Sequence, residues 1–153
     1  MWGLNGMKLK INPRGKPRPR VVRRGNKSIT FSPAWYMEWC KELQSEALIN
    51  EYKMPDVLAN ITFVIQMAKS WSKKKKREFD GQPHQSRPDL DNIIKGFQDA
   101  LSTEDSHIHM YNNIRKVWGY EGMIVIGSDV EGWYDLEGVS IIPYISLQTQ
   151  WIN

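Results

Sequence analysis

The residues of this chain best suited to chemistry lie in one short run, Arg87-Pro88-Asp89-Leu90-Asp91-Asn92-Ile93-Ile94-Lys95-Gly96-Phe97-Gln98-Asp99-Ala100-Leu101. Asp89 and Asp91 stand where a helix is predicted to begin, with Pro88 ending an extended approach. Asp91, Lys95 and Asp99 follow at i, i+4 and i+8 and so share one helix face. Asp105 comes just past the helix, within reach of the first pair if the chain folds back. Three carboxylates at one locus repel one another unless a divalent cation neutralises them, and Mg²⁺ suits an oxygen-only site that also takes a substrate phosphate. Such an ion activates a water and stabilises charge building on a phosphoryl group, which is metal-assisted phosphodiester hydrolysis. Lys95 would then donate to the attacked phosphate or hold the nucleophilic water. A bland reading stands beside this one: aspartate is a normal helix cap, and Asp91–Lys95 is an ordinary surface pair.

The segments around this run must position it. Met7-Lys8-Leu9-Lys10-Ile11 alternates apolar and basic and predicts a half-buried strand. Pro13, Pro17 and Pro19, interleaved with basic residues, forbid a helix and predict an extended, exposed arm. Val21-Val22 and Ser28–Phe31 flank Gly25-Asn26 as a predicted hairpin. Ser32-Pro33, a cap followed by proline at the first helical position, starts a predicted helix over Pro33–Asn50. Its 3.6-residue stripe is Tyr36, Trp39, Cys40, Leu43, Ala47 and Leu48. Val57–Met67 alternates Ile61, Phe63, Ile65 and Met67 with Asn60, Thr62 and Gln66, a strand pattern. Residues 70–87 are polar and basic, with Gly81 and Pro83, and are expected to form a mobile loop. The helix Leu90–Leu101 stacks Leu90, Ile94, Phe97 and Leu101 on one side. Strands Ile108–Trp118 and Gly122–Ile126 follow, turned at Gly119–Gly122, and Val139–Ile152 adds an edge strand. This order predicts a small α+β (mixed α/β) single domain over residues 1–153, with a mixed β-sheet and two main helices. Its core is expected at about residues 8–127, leaving 129–153 as a C-terminal extension whose role the sequence leaves open.

Charge points to the partner. Of 153 residues, 21 are Lys or Arg and 17 are Asp or Glu, a formal net charge of +4 that hides a steep asymmetry. Residues 1–30 carry Lys8, Lys10, Arg14, Lys16, Arg18, Arg20, Arg23, Arg24 and Lys27 and no acidic residue. A second block is Lys73-Lys74-Lys75-Lys76-Arg77, whereas residues 121–153 hold acidic residues and neither Lys nor Arg. Two basic segments suggest a polyanion, DNA or RNA, against the plainer reading of two solubilising loops. A composition of 41% hydrophobic and 25% charged residues excludes a wholly disordered or fibrous chain. The single cysteine, Cys40, excludes an internal disulfide and a cysteine-based zinc cluster and suggests a cytoplasmic protein. The apolar runs fall far short of the roughly 18 residues of a membrane span. The N-terminus lacks the charged-then-apolar order of a secretory signal.

The run from Arg87 to Leu101, taken with Asp105, resembles the signature of the RusA family of Holliday-junction resolvases, many of them encoded by phages or prophages. The matching elements are Asp89-Leu90-Asp91-Asn92, Lys95 one turn on, Asp99-Ala100-Leu101, the acidic pair Glu104-Asp105, and a strand reaching Arg115-Lys116. Gly15-Lys16-Pro17-Arg18-Pro19-Arg20 is similar to the family's proline- and arginine-rich segment, and the likeness covers about residues 8–127. The resemblance implies a small homodimeric endonuclease, dependent on Mg²⁺ (or Mn²⁺ in its place), that nicks two strands of a four-way junction symmetrically. A symmetric dimer suits a junction with two-fold symmetry. It also implies Asp89, Asp91 and Asp105 as metal ligands and Lys95 as the catalytic lysine. Glu104 is the alternative to Asp105, because the family's usual Asp-Asp is Glu-Asp here. Expected DNA contacts are Lys16, Arg18, Arg20, Arg23, Arg24, Lys73, Lys74, Lys75, Lys76, Arg77 and Lys116.

Other residues carry weaker signals. His107 and His109 would share a strand face beside Asp105, but Mg²⁺ prefers oxygen. His84 is expected in solvent. Of seven tryptophans, Trp35, Trp39 and Trp118 suit core or dimer packing, while Trp71, beside the basic run, could stack on a splayed base. Cys40 is expected as a small buried hydrophobe. The leading reading is therefore a junction-resolving endodeoxyribonuclease of DNA recombination and repair. Its rivals are a catalytically silent nucleic-acid-binding module and a related nuclease acting on flaps, forks or duplex in phage DNA processing.

Overall fold

The computed structural model describes residues 6–127, which form six strands and three helices. In chain order these are β1 (Met7–Leu9), β2 (Arg20–Arg24), β3 (Lys27–Phe31), α1 (Ala34–Ile49), β4 (Val57–Gln66), α2 (Lys73–Phe79), α3 (Leu90–Leu101), β5 (Met110–Gly119) and β6 (Met123–Ile126). The main sheet has the order β1-β6-β4-β5; β4 pairs parallel with β5 and antiparallel with β6, and β6 pairs antiparallel with β1. The sheet is mixed and the fold α+β, as the order of elements predicted. The predicted extension at 129–153, with its edge strand at Val139–Ile152, lies outside the described residues.

The parallel pairing of β4 with β5 dictates the rest. Parallel strands need a long crossover, and here it carries α2 and α3. The turn at 119–122 then takes the chain across to the opposite edge of β4, so β6 does not fold back on β5. As the central strand, β4 buries Leu58, Ile61, Thr62, Phe63, Val64 and Ile65. Successive residues point to opposite faces of the sheet, and Ile61, Thr62, Phe63 and Val64 are all buried, so both faces of β4 are covered at its middle.

The helix α3 packs on the sheet through Ile93, Ile94, Phe97 and Ala100, with the Phe97 and Phe63 rings edge to face at 5.6 Å. Leu90 and Leu101, counted in the predicted stripe, are half-buried at the helix ends. The helix α1 starts one residue later than predicted: the Pro33 carbonyl accepts from Tyr36 N and Met37 N, so Pro33 occupies the cap position and Ser32 caps nothing. Tyr36, Trp39, Leu43 and Ala47 are buried as expected and Cys40 is half-buried. Leu48 is 80% exposed, because it sits one residue, or about 100°, past the stripe at Ala47.

The hairpin forms as predicted, from Arg20 opposite Phe31 to Arg24 opposite Lys27, with Gly25 at φ +62° in the turn. It stands as its own two-stranded sheet with every residue exposed. The segment expected as a mobile loop is corrected in two ways. Lys73–Phe79 is helical, capped where Ser72 Oγ accepts from Lys75 N at 3.1 Å. The helix is anchored by Trp71, whose ring lies 4.8 Å from Trp118 and 5.2 Å from Phe79. Residues 81–84 then run along β5: Gly81 N donates to Trp118 O, Trp118 N to Gln82 O, and His84 N to Lys116 O. His84, expected in solvent, is buried beneath Trp118 at 4.2 Å between ring centres.

Because Phe97 joins α3 to both the sheet and Tyr52, Phe97→Ala is expected to cost about 3–5 kcal/mol of stability, read as a lowered urea midpoint.

Candidate active site

The buried positions of α3 fix its rotation. With Ile93, Ile94 and Phe97 turned to the sheet, Asp91 and Lys95 face outward. Asp89 is the residue before the helix, where a side-chain cap would sit, but its carboxylate makes no capping bond. Asp91 accepts from the backbone N–H of its neighbour Asn92 at 2.9 Å. The capping explanation of Asp89 is thereby removed, and both carboxylates are exposed. Behind them, Lys116 Nζ donates to the carbonyls of Ser86 at 2.7 Å and Pro88 at 2.8 Å, pinning the segment that delivers Asp89. Burial pushes the Lys116 amine down, and the Asp89 charge pulls it back up. Lys116, expected to contact DNA, thus directs two of its donors into the chain.

The proline-rich arm lies across α3. Lys16 N donates to Asn92 O at 3.2 Å, and Asn92 Nδ2 returns a bond to Lys16 O at 3.0 Å. Trp39 Nε1 holds the arm from the α1 side by donating to Asn12 O at 2.9 Å. The approach needs a glycine on α3: a Cβ at Gly96 would lie 3.2 Å from Arg14 O and Lys16 N. Arm and helix together enclose a cleft of about 1140 Å³ whose walls include Lys16, Arg18, Trp35, Asp89, Asp91 and Lys95.

The lysines of this cleft are tied to acids other than Asp89 and Asp91. Asp99 accepts from Lys16 Nζ and, at 3.2 Å, from Lys95 Nζ, which also lies 3.8 Å from Asp105. Burial would push the Asp99 carboxyl up, but the two lysines hold it below the usual carboxylate range. Asp99, with a smaller contribution from Asp105, raises the Lys95 amine, so Lys95 stays an ammonium at neutral pH. The surface pair expected between Asp91 and Lys95 is replaced by Lys95–Asp99.

Of the acidic pair after α3, Glu104 accepts from Ser106 N at 2.9 Å, which holds its carboxyl down and commits it to its own turn. Asp105 turns back to α3, accepting from Gln98 Nε2 at 3.2 Å. Asp89 and Asp91 thus line one cleft with Lys95, and Asp105, though 3.8 Å from Lys95 Nζ, is not among the residues that line it. Among the described residues, no three His, Cys, Asp or Glu side chains stand close enough to hold one ion. His107 is occupied by Asp56 at 2.9 Å, and His109 is exposed.

The other basic residues expected to contact DNA do not line the cleft. Arg20, Arg23 and Arg24 are exposed on β2, and Lys73, Lys74, Lys75 and Arg77 are exposed on α2, with Lys76 half-buried. Lys75 Nζ sits 4.0 Å over Trp71, whose ring also packs on Trp118 and Phe79 and belongs to an internal aromatic cluster. Sequence reasoning missed Trp35 and Arg14 as cleft residues; the guanidinium of Arg14 lies 4.1 Å over the Trp35 ring. A signal was available, since Trp35 falls outside the buried stripe of α1.

Hard carboxylate oxygens set among fixed cations, on an α+β scaffold, suit an anionic substrate such as a phosphodiester. A family model for the endodeoxyribonuclease RusA matches residues 10–126, and the chain belongs to the RusA endodeoxyribonuclease family. That membership implies endonuclease activity on Holliday junctions, with the divalent metal the family generally uses. No individually curated protein matches the sequence.

The depressed carboxyl of Asp99 makes its ion pairs a stabilising contribution above the ordinary carboxylate pKa, lost as pH falls through the folded value. Asp99→Asn is expected to cost about 0.5–1 kcal/mol at pH 7, with the difference from wild type closing below about pH 4 in urea titrations.

Proposed function

We propose that this protein is a Mg²⁺-dependent endodeoxyribonuclease, with Mn²⁺ able to substitute, that resolves Holliday junctions by paired symmetric nicks. It would act as a cytoplasmic homodimer in DNA recombination and repair. The observation that carries this reading is the placement of Asp89 and Asp91 in one cleft with Lys95 and the basic arm. Two exposed, hard-oxygen side chains fit Mg²⁺, which is commonly held by one or two carboxylates plus substrate phosphate oxygens and water. Asp89 and Asp91 would hold the ion, and Asp105, which stands beside Lys95, would have to move toward them to become a third ligand. When bound, the ion supplies a water of lowered pKa and offsets phosphate charge.

The remaining chemistry belongs to the chain. Lys95, kept protonated by Asp99, donates to a phosphate oxygen and stabilises the charge that develops there. Lys16 is held at the cleft wall by the same aspartate. Arg18, the hairpin arginines Arg20, Arg23 and Arg24, and the α2 cations Lys73–Arg77 supply phosphate contacts along the DNA arms. Lys116 keeps Asp89 in position through the Ser86 and Pro88 carbonyls and adds positive charge behind it. Two copies related by a two-fold axis match the symmetry of a four-way junction and place one site at each of two opposed strands.

A labelled four-way junction incubated with and without Mg²⁺ tests the assignment; symmetric nicks that need the ion support it. Tight binding with no cutting in Mg²⁺ or Mn²⁺ would make the chain a silent binding module, and equal cutting of flaps or linear duplex would make it a broader nuclease. Asp91→Asn is expected to abolish cleavage, by about 100-fold or more, with junction affinity unchanged or higher because a charge repelling phosphate is gone. Lys95→Ala is expected to lower kcat by about 100-fold with a much smaller change in KM; the opposite split would reduce Lys95 to a phosphate anchor.

A further inference from the structure

Trp35 sits on the first turn of α1 but off its packing stripe. Tyr36, Trp39, Leu43 and Ala47 turn to the core, while Trp35 is 38% exposed and lines the cleft that holds Asp89 and Asp91. The Tyr36 ring packs on it in a T-shaped pair, 5.9 Å between ring centres, which holds the indole against the core. The guanidinium of Arg14 lies 4.1 Å over the ring, so this indole face already accepts a flat, delocalised group. A surface tryptophan covered by arginine is common as simple packing. Two features go beyond packing here. The cleft, at about 1140 Å³, is at least as large as the roughly 300–1000 Å³ of sites that enclose small organic ligands. It also joins the indole to Lys16 and Arg18, cations for a phosphate, and to the carboxylates. An aromatic face beside a cationic track is the arrangement by which proteins hold unpaired nucleotides.

We propose that Trp35 is a nucleobase platform: it stacks on one unpaired base of the DNA strand whose phosphate lies at Asp89 and Asp91, while Arg14 grips an adjoining phosphate. The proposal rests on the reading in the preceding subsection and gives it a source of substrate selectivity. Cations bind any duplex, but a base can be offered to an indole only where it leaves its own stack, and that costs less at a branch point than within continuous duplex. Stacking needs only a π face, so the platform tolerates every base.

The test measures binding in metal-free buffer, so that no cleavage contributes. Four-way junctions carrying a single abasic site, placed in turn at each nucleotide beside the crossover, are titrated with wild type, Trp35→Ala and Trp35→Phe. Wild type is expected to lose about 10-fold in affinity at one abasic position, Trp35→Ala to lose nothing further there, and Trp35→Phe to keep most of the wild-type difference. A 2-aminopurine at that position is expected to change fluorescence with wild type and not with Trp35→Ala. Equal abasic losses for wild type and Trp35→Ala, or no abasic effect on a junction that wild type binds, would overturn the platform alone. Failure of wild type to bind any four-way junction would overturn the nuclease reading and the platform with it. An unchanged melting temperature in Trp35→Phe confirms that the comparison is between folded proteins.

Discussion

The arm lying across α3 is the contact on which the site depends. It brings Lys16 beside Lys95, two ammonium groups that would repel each other, and Asp99 makes the arrangement stable by accepting from both. Asp105 adds a second acid at Lys95. The lysines are therefore balanced by Asp99 in the last turn of α3 and by Asp105 just past it, and Asp89 and Asp91 at its start are left without a cationic side chain bonded to them. The positive end of the helix dipole and the Lys116 ammonium behind the loop make that concentration of negative charge tolerable. From Asp89 to Asp105 the chain thus carries unpaired acids, then the cation Lys95, then the acids that neutralise it.

The sheet holds this arrangement still. A parallel β4–β5 pair forces the intervening chain to cross the sheet, and that crossover delivers α3 with Phe97 against Phe63. The same pairing puts Lys116 on β5 beneath the segment that leads into α3, so a strand side chain sets the height of a loop carboxylate. The aromatic group of Trp71, Phe79, Trp118 and His84 fastens the first half of the crossover to β5.

Much of this was legible in the residues and some was not. The bounds of α3 follow from Pro88 and the apolar spacing of Ile94 and Phe97, and the hairpin follows from Gly25-Asn26 between two β-prone pairs. The family signature was visible because its residues are local in sequence. The helix at Lys73–Phe79 was hidden because a run of lysines reads as solvated loop until Trp71 and Phe79 have something to pack on, and that partner, Trp118, is far along the chain. The burial of His84 was illegible for the same reason, since it needs the edge of β5. The alternation around Thr62 marked a strand, but a two-residue period cannot tell a strand covered on one face from one covered on both. Spacing allows Lys95 to pair with either Asp91 or Asp99, both one turn away, and cannot choose between them; the Lys16–Asp99 bond, across 83 residues, is likewise invisible to it.

The state of Lys95 narrows the chemistry further. An amine raised by two carboxylates cannot accept the proton of an attacking water at neutral pH, so either role considered for it, gripping the phosphate or holding the water, is played as a donor. In the proposed reaction the proton would then leave to solvent or to an oxygen base, not to Lys95. Making Lys95 a donor also explains why its charge is doubly anchored. A long, flexible ammonium loses rotamer freedom when it is asked to hold one position, and Asp99 and Asp105 meet that cost in the folded protein before any substrate arrives.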